Sequence, residues 1–208
     1  MILENLKWRY ATKKFDTSKV LSESDLTSIL EAGNLAASSY GLQPFQFVVV
    51  EDIAKKQALI EHAYGQTQIA ENGALIVLAA RTDIDATYIT EFTNRIETIR
   101  NFPAGTVDGY KDMMIGDLPN RTPEARLSWA QKQAYIALGT MMAAASELHI
   151  DNAGLEGFNP MKFNEVLGLD ALHLHASVLL VLGYRSEEDQ TQHYAKVRKN
   201  IGDIVVRI

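Results

Sequence analysis

The chain has 208 residues, 47% hydrophobic and 22% charged, which suits one domain with a sizeable core. It contains no cysteine, so disulfides, thiolate catalysis, iron–sulfur clusters and cysteine-ligated zinc are excluded. A formal net charge of −6 argues against nonspecific attraction to polyanions, nucleic acid included.

Residues 2–10 read as a short helix with Ile2, Leu3 and Leu6 on one side. The start of the chain lacks the basic head and apolar run of a secretory signal. The longest apolar stretch, 176–183, is too short to cross a bilayer, so the cytoplasm is the expected location. Ser22-Glu23-Ser24-Asp25 is a capping signal for a helix that buries Leu26, Ile29, Leu30, Gly33 and Ala37. A small polar loop, 36–41, follows, and Pro44 leads into a strand, Phe45-Gln46-Phe47-Val48-Val49-Val50. A helix is expected over 52–63 and a buried strand over 73–80. The next helix, 84–100, has Tyr88, Phe92, Ile96 and Ile99 as its apolar side. Residues 102–120 mix Gly, Pro and Asp with Tyr110, Met113, Met114 and Ile115, and read as a short mobile helix between loops.

Thr122-Pro123-Glu124 pairs an N-cap with proline at the first helical position, and the helix should run to about residue 147. Its small-residue stripe lets another helix approach closely, and the near all-round apolarity of 134–145 means central burial. Asn159-Pro160 starts a further short helix, and 174–182 reads as a central strand. A polar stretch covers 184–194, and Ile204-Val205-Val206 reads as a last strand. Helices outnumber strands and no βαβ rhythm recurs, so the fold class is α+β, a single domain over 1–208.

Several sites are unsupported by motif: no Gly-x-Gly-x-x-Gly, no Walker loop and no Gly-x-Ser-x-Gly elbow occurs. His173 and His175 would share one face of a strand, as a metal pair or as hydrogen-bonded structural histidines; no carboxylate partner nearby favours the first. Asp83 and Asp85 look like a helix start, and the Met113-Met114 and Met141-Met142 pairs like core filler. What remains is the loop Ser38-Ser39-Tyr40-Gly41-Leu42-Gln43-Pro44, the segment Gly154-Leu155-Glu156-Gly157-Phe158, and two basic clusters. The clusters are Arg9-Tyr10-Ala11-Thr12-Lys13-Lys14 and Lys196-Val197-Arg198-Lys199. Brought together they would suit a compact dianion such as a phosphomonoester; apart, they are two solvated charge runs. The glycine segment reads otherwise as a tight turn that exploits positive φ.

These four segments, in this order, resemble the nitroreductase-like family of FMN flavoproteins over nearly the whole chain. Arg9–Phe15 matches the family's opening Arg-x-Ser-x-Lys-x-Phe, with Ala11 in place of serine. Ala37–Phe45 matches Pro-Ser-x-x-Asn-x-Gln-Pro-Trp, with Gly41 in place of asparagine. Glu156-Gly157-Phe158 and Lys196-Val197-Arg198 complete the set, and Gly154 stands where the closest enzymes have proline. The resemblance implies a central, mostly antiparallel sheet flanked by helices, in an intertwined homodimer with C-terminal strand exchange.

It further implies FMN as bound cofactor and NAD(P)H as electron donor, with nitroaromatics, quinones or similar electron-poor acceptors as substrates. Arg9, Lys196 and Arg198 would hold the phosphate, helped by Ser38 and Ser39. Lys13 would sit by the N1–C2=O edge, and Glu156 and Gly157 by N5, with Tyr10, Ala11 and Leu155 lining the site. Gln66 and Gln68 fall where relatives contact the flavin pyrimidine. Tyr40, Tyr110, Met113 and Met114 would meet the acceptor. Two alternatives stay open: a specialised acceptor (enal, semialdehyde, pteridine or halide-bearing), and a non-catalytic nucleotide-binding module.

Overall fold

The computed structural model describes residues 2–208. Its elements run α1 (Ile2–Trp8), α2 (Glu23–Asn34), β1 (Phe45–Val50), α3 (Ile53–Glu61), β2 (Ala74–Arg81), α4 (Ala86–Arg100), α5 (Asp108–Asp117), α6 (Pro123–Glu147), β3 (Asp151–Leu155), α7 (Pro160–Leu167) and β4 (Leu174–Gly183). The strands form one antiparallel sheet in the order β1-β2-β4-β3. β1 pairs β2 from Phe45↔Ala80 to Val50↔Leu75, and β3 pairs β4 from Asp151↔Gly183 to Leu155↔Leu179.

Side chains alternate across a strand, so the two faces of β2 build two cores. Leu75, Val77 and Ala79 pack with Leu59 of α3 and Phe163 of α7. Ala74, Ile76 and Leu78 pack with Ile29 of α2 and Ala134, Leu138 and Met141 of α6. Covered on both faces, β2 and β4 are near-continuous apolar runs rather than alternating ones. A third cluster joins α4, α5 and the start of α6 through Ile89, Met114 and Ala130.

The caps form as the sequence predicts. Ser22 Oγ accepts from Asp25 N–H at 3.1 Å, Thr122 Oγ1 from Ala125 N–H at 3.2 Å, and Asp85 Oδ1 from Tyr88 N–H at 2.9 Å. The alanine stripe of α6 is buried within the chain, against the sheet and α2. Gly33 makes that approach close: a Cβ there would lie 2.7 Å from Met141 Cγ and 2.8 Å from Phe47 Cζ.

Several expectations are corrected. The segment 151–155 is a strand, although Asp, Asn and Gly disfavour strands; burial and pairing with β4 override propensity. Gly154 and Gly157 therefore do not form a positive-φ turn. Ile204-Val205-Val206 is not a strand: it follows a 3-10 turn at Ile201–Asp203 and, within the chain, has no neighbouring strand to pair with. On α4 the buried line runs through Ile89 and Thr93, and Ile99 is 72% exposed. Helix α1 stops at Trp8 and buries none of its apolar residues. His173 lies in a left-handed cap outside β4, so it shares no strand face with His175. His175 Nδ1 instead meets Asn164 Nδ2 at 3.2 Å, and burial pushes its pKa down. Among the described residues no cluster suits a metal ion, and no helix is long and apolar enough to cross a membrane.

Candidate active site

The first basic cluster lies along the free edge of β3. Beyond α1 the chain turns extended, and Ala11 bridges Asn152 in parallel fashion. Arg9 Nε donates to Asn152 Oδ1 at 3.2 Å, and Nη2 to Asn152 O at 3.5 Å. Asn152 is fully buried and anchored through Nδ2 to Ile150 O at 3.2 Å, so the guanidinium is held from a fixed point.

The second cluster comes back to the first. Lys196 Nζ donates to the carbonyls of Leu6 at 2.9 Å, Lys7 at 2.8 Å and Arg9, capping the C-terminal end of α1 where free carbonyls gather. Burial and the neighbouring Arg198 push the Arg9 pKa down. Lys196 is lowered by burial, then by Arg9 and Arg198. Three like charges thus crowd together with no carboxylate among their ion-pair partners within the described residues. The two ends of the chain converge.

Beside Arg9 opens a hollow of about 440 Å³. Arg9 and Ala11 form one side, Gly154 and Glu156 another, and Tyr135, Leu138 and Met142 of α6 line it from below. A Cβ at Gly154 would touch Leu138 Cδ2 at 3.4 Å and Met142 Sδ at 3.5 Å, so the missing side chain keeps the space open. Burial, then the Glu156 carboxylate, push the Tyr135 phenol up to about 12. Leu155 is buried at the end of β3, and Glu156 is exposed. Behind the next residue stands a glutamine pair. Gln66 Nε2 donates to Gly157 O at 2.7 Å, and the buried Gln68 donates to Gln66 Oε1 at 3.2 Å.

Lys13 has an exposed side chain and a backbone N–H fixed by Asp189 Oδ2 at 2.8 Å. The same oxygen accepts from Tyr10 Oη at 2.9 Å and Lys14 N–H at 3.2 Å. Burial, then Asp189, push the Tyr10 phenol up. Next to Tyr10, Arg185 lies over the Trp8 and Tyr10 rings at 4.4 and 4.7 Å, and its Nε donates to Asp151 Oδ1 at 2.7 Å.

The serine loop stands apart from this hollow within one chain. Ser39 N–H donates to Gln133 Oε1 at 2.8 Å, and Ser38 Oγ accepts from Gln43 N–H at 3.0 Å. Gln133 and Tyr135 are two residues apart on α6, about 200° of helical turn, so they leave it on opposite sides. Tyr40 at φ 61 and Gly41 at φ 69 are both left-handed, a region that glycine enters without steric cost. Tyr110 Oη donates to Tyr40 O at 2.8 Å, and Tyr40 Oη to Asp117 Oδ2 at 2.8 Å. Asp117 is paired with Arg121 at 2.7 Å, which pins α5 onto the loop. Met114 is fully buried in this packing, whereas Met113 is 50% exposed.

Sequence reasoning missed Asn152, Asp189, Arg185, Tyr135 and Gln133. Each acts through a partner more than 90 residues away or through tertiary placement; only the acidic run 187–189 in a basic setting carried a local signal.

The sequence model of the nitroreductase family matches residues 6–184. The chain belongs to the nitroreductase family. A Staphylococcus haemolyticus nitroreductase relative, provisionally named an NAD(P)H nitroreductase, is 34% identical over 215 residues, covering 98% of this chain and 95% of its own. YfkO of Bacillus subtilis, named likewise, is 33% identical with 98% and 96% covered. A nitroreductase of Exiguobacterium sibiricum, solved in complex with FMN, superposes with a TM-score of 0.84 at 21% identity, covering 100% of this chain and 97% of that one. That likeness shows the nitroreductase fold.

Proposed function

We propose that this chain is an FMN-dependent NAD(P)H oxidoreductase that delivers hydride to nitroaromatics, quinones or similar electron-poor acceptors. One observation carries the reading. Arg9, Lys196 and Arg198, from the two ends of the chain, crowd their charges beside a hollow kept open by Gly154. Such a cluster is relieved by a compact dianion, and the hollow next to it offers apolar Leu138 and Met142 to a planar ring. The residues present fit FMN.

When bound, FMN would supply the hydride chemistry that links NAD(P)H to the acceptor. The chain supplies the setting. Arg9 and Arg198 would hold the phosphate, and Lys196, whose ammonium donates to the Leu6, Lys7 and Arg9 carbonyls, would add its charge beside them. Lys13 would bring an ammonium to the N1–C2=O edge, where reduction leaves negative charge. Glu156 and Gly157 would present backbone N–H groups towards N5, and Gln66 steadies the segment by donating to Gly157 O in the peptide that follows them. Gln68 orients Gln66, while Tyr10, Ala11 and Leu155 line the same side. With no dinucleotide fingerprint in the sequence, the nicotinamide is held chiefly by stacking on the flavin.

The active unit is a homodimer. The serine loop and the Arg9 hollow lie on opposite sides of α6, so Ser38 and Ser39 reach a given flavin from the partner subunit. Ile2, Leu3, Ile136, Ile204 and Val206 are apolar and exposed, and β1 is an open sheet edge; a second copy covers them, with 204–206 adding a strand to the partner. Tyr40, Tyr110 and Met113 border the acceptor, with Met114 supporting them from the core.

The visible spectrum of the purified protein tests the reading first: a flavin spectrum that bleaches under nitrogen on adding NADH or NADPH, then recovers with a nitroaromatic or quinone. A colourless protein without affinity for added FMN would overturn it.

A further inference from the structure

The polar segment after β4 holds one residue with an unusual number of partners. Asp189 is 3% exposed, yet its carboxylate faces five donors. On Oδ2 converge Lys13 N–H at 2.8 Å, Tyr10 Oη at 2.9 Å and Lys14 N–H at 3.2 Å. On Oδ1 converge Thr191 N–H at 3.0 Å and the Thr191 hydroxyl. The segment it grips, 10–14, has no helix to hold it; its other ties are the Ala11–Asn152 bridge, the Ser186 N–H bond to Lys14 O at 3.0 Å, the Lys14–Glu188 ion pair and Arg185 over the Tyr10 ring, and none of them bonds the Lys13 N–H.

We propose that Asp189 is a positioning residue for the flavin chemistry, clamping the Lys13 backbone so that the Lys13 ammonium stays over the cofactor. The proposal rests on the reading above that Lys13 lies against the flavin. Lys13 has a long flexible side chain, and its charge stabilises a developing anion only if its starting point is fixed. An exposed loop with a free backbone would let that charge average over many positions. Only a carboxylate meets the demand here. Three of the five donors, the Lys13, Lys14 and Thr191 N–H groups, cannot accept, so an amide would turn its NH2 against one or two of them whichever way it lay.

The test is a double-mutant cycle on the FMN-loaded protein, with the flavin midpoint potential as main readout and FMN affinity as second. Lys13→Ala should lower the potential. Asp189→Asn should lower it in the same direction and slow reduction by NAD(P)H about tenfold, the scale of one charge-assisted contact. In the Lys13→Ala background, Asp189→Asn should lower the potential no further, because the charge it positions is already gone. Asp189→Glu, which keeps an acceptor-only group, should recover part of the loss.

Thr191→Ala is the milder variant should Asp189→Asn fold poorly. It removes one bond from Oδ1 and should give a smaller drop that also vanishes without Lys13. A potential unchanged by both Asp189→Asn and Thr191→Ala, while Lys13→Ala lowers it, overturns the clamp and leaves the flavin reading intact. Equal drops with and without Lys13 overturn it too, since Asp189 would then act through a group other than Lys13; loss of its own negative charge would raise the potential. If Lys13→Ala itself leaves the potential unmoved, the placement of Lys13 is what fails.

Discussion

Among single residues, the decisive ones are charges whose neighbours set their behaviour. Arg9, Lys196 and Arg198 repel one another, so each stabilises a bound phosphate more than it stabilises the empty fold. Lys196→Ala with Arg198→Ala should therefore release FMN, through loss of one charge-assisted contact of roughly 1.5–3 kcal/mol, of the Lys196 charge, and of the bonds that tie the tail to the end of α1. Fluorescence titration of FMN reads this directly, and unchanged affinity would show that the tail does not hold the cofactor. Asp189 behaves in the opposite sense. Burial raises its pKa, but hydrogen bonds from Thr191, Lys13 and Lys14 outweigh burial and set it at about 2. A carboxyl held below its ordinary value of about 4 stabilises the fold above that value and loses the benefit as pH falls towards 2. The loss amounts to on the order of 2 kcal/mol. Wild-type stability should consequently fall more steeply between about pH 4 and pH 2 than that of Asp189→Asn, as urea midpoints at each pH would report.

Between elements, the contact of α2 with α6 sets how closely the helical layer sits on the sheet. Gly33 has no room for even a methyl group: the nearest side-chain atoms of Met141 and Phe47 lie under 3.0 Å from where it would be. Gly33→Ala gains helix propensity of about 1 kcal/mol in an open setting, but here the overpacking dominates at roughly 1–3 kcal/mol. A lowered chemical-denaturation midpoint with an unchanged slope is the expected result; a raised midpoint would mean that Met141 moves aside freely. Helix α5 is fastened differently, by polar contacts at its two ends. Tyr110 reaches the Tyr40 carbonyl, while Asp117 takes the Tyr40 hydroxyl and Arg121. Arg121, then Tyr40, hold the Asp117 carboxyl below its usual range. Arg121 also lies 5.7 Å from the Trp129 ring centroid, which carries the chain of contacts back to α6.

For the molecule as a whole, a net charge of −6 surrounds a locally positive mouth, an arrangement that draws a compact anion to one place rather than coating the surface. The placement of the serine loop beyond α6 makes the proposed two-chain site testable by complementation. Arg9→Ala should abolish flavin binding on one component of the site, and Ser39→Glu, which sets a carboxylate against the phosphate, on the other. Mixed dimers of the two variants should regain one working site each, since one hollow then meets an intact loop. Flavin content in the isolated heterodimer measures it, and no recovery at all would place the entire site within a single chain.

The sequence by itself determined the helices and the inner strands, since their periodicity and their caps at Ser22, Asp85, Thr122 and Asn159 are local facts. It also determined the four segments whose order marks the nitroreductase family, because residue type and spacing survive in the linear chain. Only the tertiary structure decided that Asp151–Leu155 is a strand, because its polar and glycine residues pair with β4 against their own preference. It likewise decided which carboxylate grips Lys13 and which face of α6 the serine loop occupies. Both depend on directions in space between residues far apart in the chain, and no local preference encodes a direction.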